Sequence, residues 1–235
     1  MKKFILFTTI IALLPFSKSQ AQEYNEKSLG SWLLFYGNTK LSDRWHFYIE
    51  RRYRNYELLP SNEQLLIRGA LFYNIDSTYY FGGGYTLISN NAPIDEVIRT
   101  YSSERRAWEQ FSYHKKIKRV RWELRLRSEQ RLMEMNTIKF RNRLALKATF
   151  PLNKKEIGRN TWFIDVENEI FQHFEDSPFD RYRLTASLGY QVVPQVNLQL
   201  GYANEYALDY QRQYVTFSFN YVVDLSHKFK KQKPD

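Results

Sequence analysis

Between Trp122 and Leu132 charged and apolar residues alternate. Glu123, Arg125, Arg127, Glu129 and Arg131 hold the odd positions, and Trp122, Leu124, Leu126 and Leu132 hold even ones. A period of two is that of a β-strand, with charge on one face and apolar side chains on the other. The pattern recurs downstream. Lys139, Arg141, Arg143 and Lys147 oppose Phe140, Leu144, Leu146 and Phe150, while Asp165, Glu167 and Glu169 oppose Ile164, Val166 and Ile170. Arg181 and Arg183 oppose Tyr182, Leu184, Leu188 and Tyr190, and Gln199, Gly201 and Glu205 oppose Leu198, Leu200, Tyr202 and Tyr206. Thr216, Ser218 and Asn220 alternate with Val215, Phe217, Phe219 and Tyr221. Near the front, Glu50, Arg52 and Arg54 oppose Phe47, Ile49 and Tyr53, with Arg51 breaking the apolar face.

Read this way, the chain predicts strands over 29–38, 44–57, 62–74, 78–88, 98–117, 121–133, 138–151, 160–173, 180–192, 195–208 and 211–223. Most reach about 10 residues or more, the length of a tilted membrane strand, where soluble sheets typically use about 5–6. Asn74 to Ser77, Lys118-Arg119 and Val193-Pro194 read as tight turns at one end. Ser89 to Glu96, Glu134 to Thr137 and Phe174 to Phe179 read as longer loops at the other. Single-chain bacterial barrels carry even strand numbers. Eleven segments therefore suggest a partial first strand or a misdivided 98–117, and the expectation is about 10–12 strands, with twelve favoured over ten.

Two all-β architectures share this pattern. In a soluble sandwich or barrel the apolar face meets a core and the charged face water; in an outer-membrane barrel the apolar face meets lipid and charge lines the interior. The polar face decides between them. A solvated face carries mostly lysine, serine and threonine, whereas here whole rungs are arginine, with carboxylates on neighbouring strands. Arginine's rigid, permanently charged fork suits bidentate pairing in a confined interior. The expected fold is an antiparallel transmembrane β-barrel, which also leaves no free sheet edge. Its interior charge network would comprise Glu123, Arg125, Arg127, Glu129, Arg131, Arg141, Arg143, Asp165, Glu167, Glu169, Arg181 and Arg183.

The front of the chain bears on compartment. Lys2 and Lys3 precede an apolar run from Phe4 to Leu14, and Ser19-Gln20-Ala21 resembles a small-x-small cleavage site. The run is too short to span a bilayer as a helix. Residues 1–21 are expected to be a cleaved signal peptide, 22–223 one barrel domain and 224–235 a basic C-terminal tail. With no cysteine there is no lipid attachment point, disulfide or thiolate metal site. Eighteen tyrosines, 17 phenylalanines and 5 tryptophans favour strands and suit the aromatic girdles of a membrane boundary. The net charge of +10 falls to +7 once Lys2, Lys3 and Lys18 leave with the signal. Export argues against nucleic acid as a partner and points to outer-membrane lipid or small anionic solutes. A monomer in the cell outer membrane is expected.

The same rungs carry a family likeness. Trp122 to Arg131 (WELRLRSEQR), Phe140 to Leu144 (FRNRL), Asn168 to Phe171 (NEIF), Phe179 to Leu184 (FDRYRL), Leu188 to Gln191 (LGYQ) and Leu200 to Glu205 (LGYANE) together resemble domain-of-unknown-function family 2490. That family is found widely in Bacteroidetes and related Gram-negative bacteria. Tyr101 to Phe111 (YSSERRAWEQF) is similar to its stretch just before the middle. The resemblance covers about 29–223 and implies an outer-membrane-type barrel without an assigned function; it carries over no catalytic residues. One departure is the C-terminus. Asp224 to Asp235 follow the last strand, leaving a strand-terminal aromatic internal, near Tyr221 or Phe229.

Candidate chemistry is sparse. A lipid hydrolase would need a serine beside an oriented histidine on the lipid-facing side. Ser112 and His114 share a strand face but have no evident third member, so an enzyme is not expected. His46 and His173 sit near strand ends without clustered carboxylates, and no metal or cofactor is expected. Glu175 and Asp176 with Asp180 could meet calcium or be an ordinary solvated loop. Gly82-Gly83-Gly84 lacks the lysine and helix of a phosphate loop and reads as a strand bend or a floor for aromatic packing. The charged interior remains. Filled by its own ion pairs it makes a structural core; partly open, its excess arginine favours a narrow pore for small acidic solutes.

Overall fold

The computed structural model describes residues 29–58, 61–93, 99–174, 178–208 and 210–229. Eleven strands follow one another in chain order: β1 (Gly30–Lys40), β2 (Trp45–Asn55), β3 (Gln64–Asn74), β4 (Tyr79–Pro93), β5 (Arg99–Ile117), β6 (Val120–Leu132), β7 (Ile138–Pro151), β8 (Thr161–His173), β9 (Phe179–Val193), β10 (Val196–Ala207) and β11 (Gln211–Asp224). A single-turn helix α1 (Ser226–Phe229) ends the described chain. Each strand pairs with its neighbours in sequence, and β1 pairs with β11 to close the barrel.

Closure gives eleven strands, within the expected 10–12, and overturns only the preference for an even count of twelve. The first segment is a full strand of eleven residues, and 98–117 is one strand, β5, of nineteen. In an up-and-down meander with an odd count, the first and last strands run the same way, so they can meet only in parallel. They do so in register from Gly30↔Tyr214 to Lys40↔Asp224. The other ten contacts are antiparallel. Parallel pairing is slightly less stable per residue.

Connections 41–44, 75–78, 118–119, 152–160 and 194–195 lie at one end, the turn rim; the other ends of the strands, with the described residues 56–58, 61–63, 133–137, 174, 178, 208 and 210, form the loop rim. Two details differ from the pattern-based expectation. The 152–160 connection is long yet sits at the turn rim. Ser89 to Pro93 is strand, not loop. The β4–β5 ladder runs on to Pro93↔Arg99, and Gln64 donates to Asn90 at 2.6 Å. Cross-strand hydrogen bonds there override a turn-like composition. Ile94, Asp95 and Glu96 lie outside the described residues, as do the signal-like front and residues 230–235 of the tail.

The pleat sorts side chains into two classes. Leu33, Phe35, Ile49, Ile67, Leu71, Leu87, Phe111, Leu126, Leu144, Leu146, Ile170, Leu188, Leu200 and Phe217 face outward and are exposed. Arg51, Arg105 and Glu109 are charged exceptions on the outer surface of β2 and β5. Buried residues are mainly polar: Glu50, Glu129, Glu169 and Glu205 are each at most 1% exposed, less than most buried apolar side chains. The barrel is greasy outside and ionic inside. Glycines make room where inward rings are largest. A Cβ on Gly84 would come 2.7 Å from the Trp108 ring, and one on Gly82 would collide with Phe72. The Gly82-Gly83-Gly84 run is thus a floor for aromatic packing.

Candidate functional site

All twelve residues of the anticipated charge network lie on the inward face, and strand register explains how they meet. Glu129 on β6 stands opposite Arg141 on β7; Glu169 on β8 stands opposite Arg183 on β9, which stands opposite Glu205 on β10. Directly opposed ionic residues are the unit of cross-strand pairing, and here the pairs link into a mesh. Glu129 accepts from Arg141 at 2.6 Å and from Arg143 at 2.8 Å. Glu169 accepts from Arg143 at 2.7 Å, from Arg125 at 3.0 Å and from Arg183 at 3.4 Å. Glu205 accepts from Arg181 at 3.0 Å and from Arg183 at 2.9 Å. Arg131 donates to Glu104 at 2.5 Å. The Phe171 ring lies under four guanidinium groups, those of Arg141, Arg143, Arg181 and Arg183, at 4.7–5.8 Å. Such stacking favours arginine over lysine.

The mesh has members outside the twelve. Glu50 accepts from Arg68 at 2.6 Å and from Arg52 at 2.9 Å. Glu104 binds Arg106 as well as Arg131. Arg54 reaches Glu63 at 3.3 Å, and Arg212 reaches it at 3.8 Å. The signal for Glu104 and Arg106 was in the sequence. Ser102, Glu104, Arg106, Trp108, Gln110 and Ser112 alternate, but the outward charges Arg105 and Glu109 mask the period. In the connections at the loop rim, burial raises the Glu63 carboxyl against the pull of Arg54 and Arg212. Burial, helped by the Glu205 carboxylate, pushes the Tyr210 phenol up to about 12.

These pairs do not fill the barrel evenly. From mid-barrel toward the loop rim the charges at the centre of the mesh are packed out of water: the side chains of Glu129, Glu205, Arg141 and Asp180 are at most 7% exposed, while Arg181 and Glu63 nearer the rim are 22% and 16% exposed. Toward the turn rim there is a cavity of about 320 Å³. Its floor is Arg127, Arg143, Arg52, Arg68, Glu50 and Glu169. Nearer the mouth, Lys147 binds Asp165 at 2.9 Å, Arg125 binds Glu167 at 3.1 Å, and Tyr80 donates to Glu123 at 2.9 Å. The opposite wall is neutral: Asn38, Thr185, Ser187, Gln199, Ser218 and Asn220. Seven arginine or lysine side chains and five carboxylates line the cavity, a formal excess of two positive charges.

Ser112 and His114 both face the lumen, away from the outer surface on which a lipid hydrolase would work. Ser112 accepts from Gln110 at 3.0 Å, and His114 packs on Tyr80 with Glu123 at 3.7 Å. Asp180 pairs with Arg141 and Arg181, each at 3.1 Å; Glu175 and Asp176 lie outside the described residues. Among the described residues no cluster of three histidine, aspartate or glutamate side chains could hold a metal ion.

Against known proteins, a family model described as "Protein of unknown function (DUF2490)" matches residues 29–221. No curated protein and no solved structure matches the chain.

Proposed function

This chain belongs to the DUF2490 family, and from that premise we propose that it is an outer-membrane β-barrel whose ionic interior is mainly structural and whose lumen is a blind vessel, not a conduit. On this reading residues 1–21 are an export signal, and the protein acts in the membrane as a scaffold or binding barrel, without catalysis. The observation that carries it is the inversion of the barrel, with exposed Leu, Ile and Phe around the outside and buried arginine and glutamate within. A soluble protein rarely leaves more than a few hundred Å² of contiguous apolar surface in water; in lipid the same surface is at home.

Aromatic pairs support the reading. Trp45 with Tyr73, Tyr79 with Tyr113 and Trp162 with Tyr190 pack ring on ring at 4.7–5.2 Å, all at the turn rim, as girdle residues do. The dense ion pairing of Glu129, Glu169 and Glu205 across the middle of the lumen supports the absence of a through-path.

Two measurements test it. The chain has no cysteine, so Met135→Cys at the loop rim and Ser77→Cys at the turn rim are clean single probes. A polymer-linked maleimide applied to intact cells is expected to label one and spare the other; labelling of both, or recovery of the protein as a soluble periplasmic species, overturns the membrane placement. Purified protein in a planar bilayer is expected to carry no stable current. A sustained, anion-selective current would replace the blind vessel with a narrow pore.

A further inference from the structure

Within the ionic mesh one guanidinium stands apart. Of the described buried arginines, Arg54, Arg68, Arg106, Arg141, Arg143, Arg183 and Arg212 each have a carboxylate within 4.0 Å, and Arg127 has none. It is held from behind by neutral groups. Its Nε and Nη2 both donate to Gln110 Oε1, at 2.9 and 2.5 Å, and its guanidinium lies 4.1 Å from the centre of the Trp108 ring. Gln110 is itself fixed by donating to Ser112 at 3.0 Å, and Trp108 by donating to Thr86 at 3.0 Å. The arginine is oriented but not neutralised, and its Nη1 is buried with no acceptor.

Arg127 belongs to the cavity floor, and its situation is shared by other donors around that cavity. Arg52, Trp32 and Asn220 also line it, and each carries a buried donor without an acceptor (Nε, Nε1 and Nδ2); among the lining residues Asp165 carries the one such acceptor, Oδ1. Buried donors without partners are costly, and a buried unpaired cation more so. A cavity with this imbalance calls for an occupant rich in acceptors and negative in charge. Its volume, about 320 Å³, lies at the small end of the range used by small-molecule sites. The mouth adds the neutral amide and hydroxyl wall of Ser187, Gln199, Ser218 and Asn220, suited to hydroxyl groups.

We propose that the open half of the lumen binds a small, hydroxyl-bearing oxyanion, a carboxylate or phosphate entering from the turn rim and docking on Arg127. The proposal rests on the reading of the lumen as a blind vessel and gives that vessel its ligand class. Arg127 supplies the charge, Gln110 and Trp108 set its orientation, and the fork geometry of a guanidinium matches either oxyanion. A glutamine at 110, where a glutamate would have closed an ion pair, is what keeps the charge available.

The test is calorimetric titration of the full mature protein in detergent micelles at fixed chloride concentration. D-gluconate and inorganic phosphate are the probes, with glucose as the uncharged counterpart. Saturable binding of at least one anion is expected, with none for glucose. Gluconate alone identifies a carboxylate site, and phosphate alone a phosphate site. Arg127→Gln is expected to weaken that binding at least tenfold while keeping the β-sheet circular dichroism, and Arg127→Lys to restore part of it. Should Arg127→Gln fail to fold, Gln110→Glu supplies the missing carboxylate, stays folded and abolishes binding. No saturable heat with either anion, or equal affinity in wild type and the folded variant, overturns the site. Neither result depends on conductance or cellular location, so a barrel that conducts sinks the blind-vessel reading separately.

Discussion

The two halves of the lumen are built from the same residue types, but they differ in how charge is compensated. In the half nearer the loop rim, carboxylates are shared among several arginines, as Glu129 is shared by Arg141 and Arg143 with Arg106 at 3.7 Å. Above the cavity floor, toward the turn-rim mouth, the pairs are wetter, as in Arg125 with Glu167, whose side chains are 19% and 25% exposed. A buried ion pair contributes little net stability over an apolar one, but removing one partner is severe because the other stays charged and dry. A half-exposed pair recovers water instead. Identical chemistry therefore serves as a core in one half and as an adjustable lining in the other.

That contrast can be broken from the densely paired side first. Glu129→Ala removes a fully buried carboxylate shared by three arginines, leaving Arg141 with Asp180 at 3.1 Å, Arg143 with Glu169 at 2.7 Å and Arg106 with Glu104 at 2.6 Å. The excess of buried positive charge is expected to lower unfolding stability by about 3 kcal/mol, read as a fall in the urea midpoint of the protein folded in lipid. A loss below about 1 kcal/mol would mean that water reaches this half as freely as the other. Next, Leu144→Arg tests the outside. At an exposed, mid-strand position between Leu126 and Ile170, it is expected to cost roughly 2–4 kcal/mol in a bilayer, and the same change in a soluble barrel would be close to neutral. The smallest effect is expected from Glu167→Gln at the open end, under about 1 kcal/mol, since Arg125 keeps Glu169 at 3.0 Å. If Glu167→Gln proves as damaging as Glu129→Ala, the division of the lumen into core and lining fails.

Much of this was legible in the chain. The period of two set every strand to within a few residues, apart from the Ser89 to Pro93 extension, because side-chain alternation is a local property that a pleated strand must obey. It also assigned Arg125, Arg141 and Glu169 to the inward face. It was blind where the outer face is itself charged. Glu104 and Arg106, flanked by Arg105 and Glu109, stand out in the sequence only through the family likeness of Tyr101 to Phe111, not through alternation.

What alternation could not decide is anything that depends on closing the sheet. Strand parity follows from which edges meet, and only the β1–β11 ladder, Gly30↔Tyr214 onward, makes the count eleven and the closure parallel. Partner choice depends on barrel curvature and register summed over several strands. Those bring Arg125 to Glu167 and Glu169, two strands away, and leave Arg127, its neighbour on the same face, with Gln110. The sequence by itself determined a barrel, which face is greasy and which is ionic, and the residue types inside. Only the tertiary structure decided which charges neutralise one another and where one is left over, because Coulomb energy and desolvation depend on three-dimensional distance and burial, and neither is a function of position along the chain.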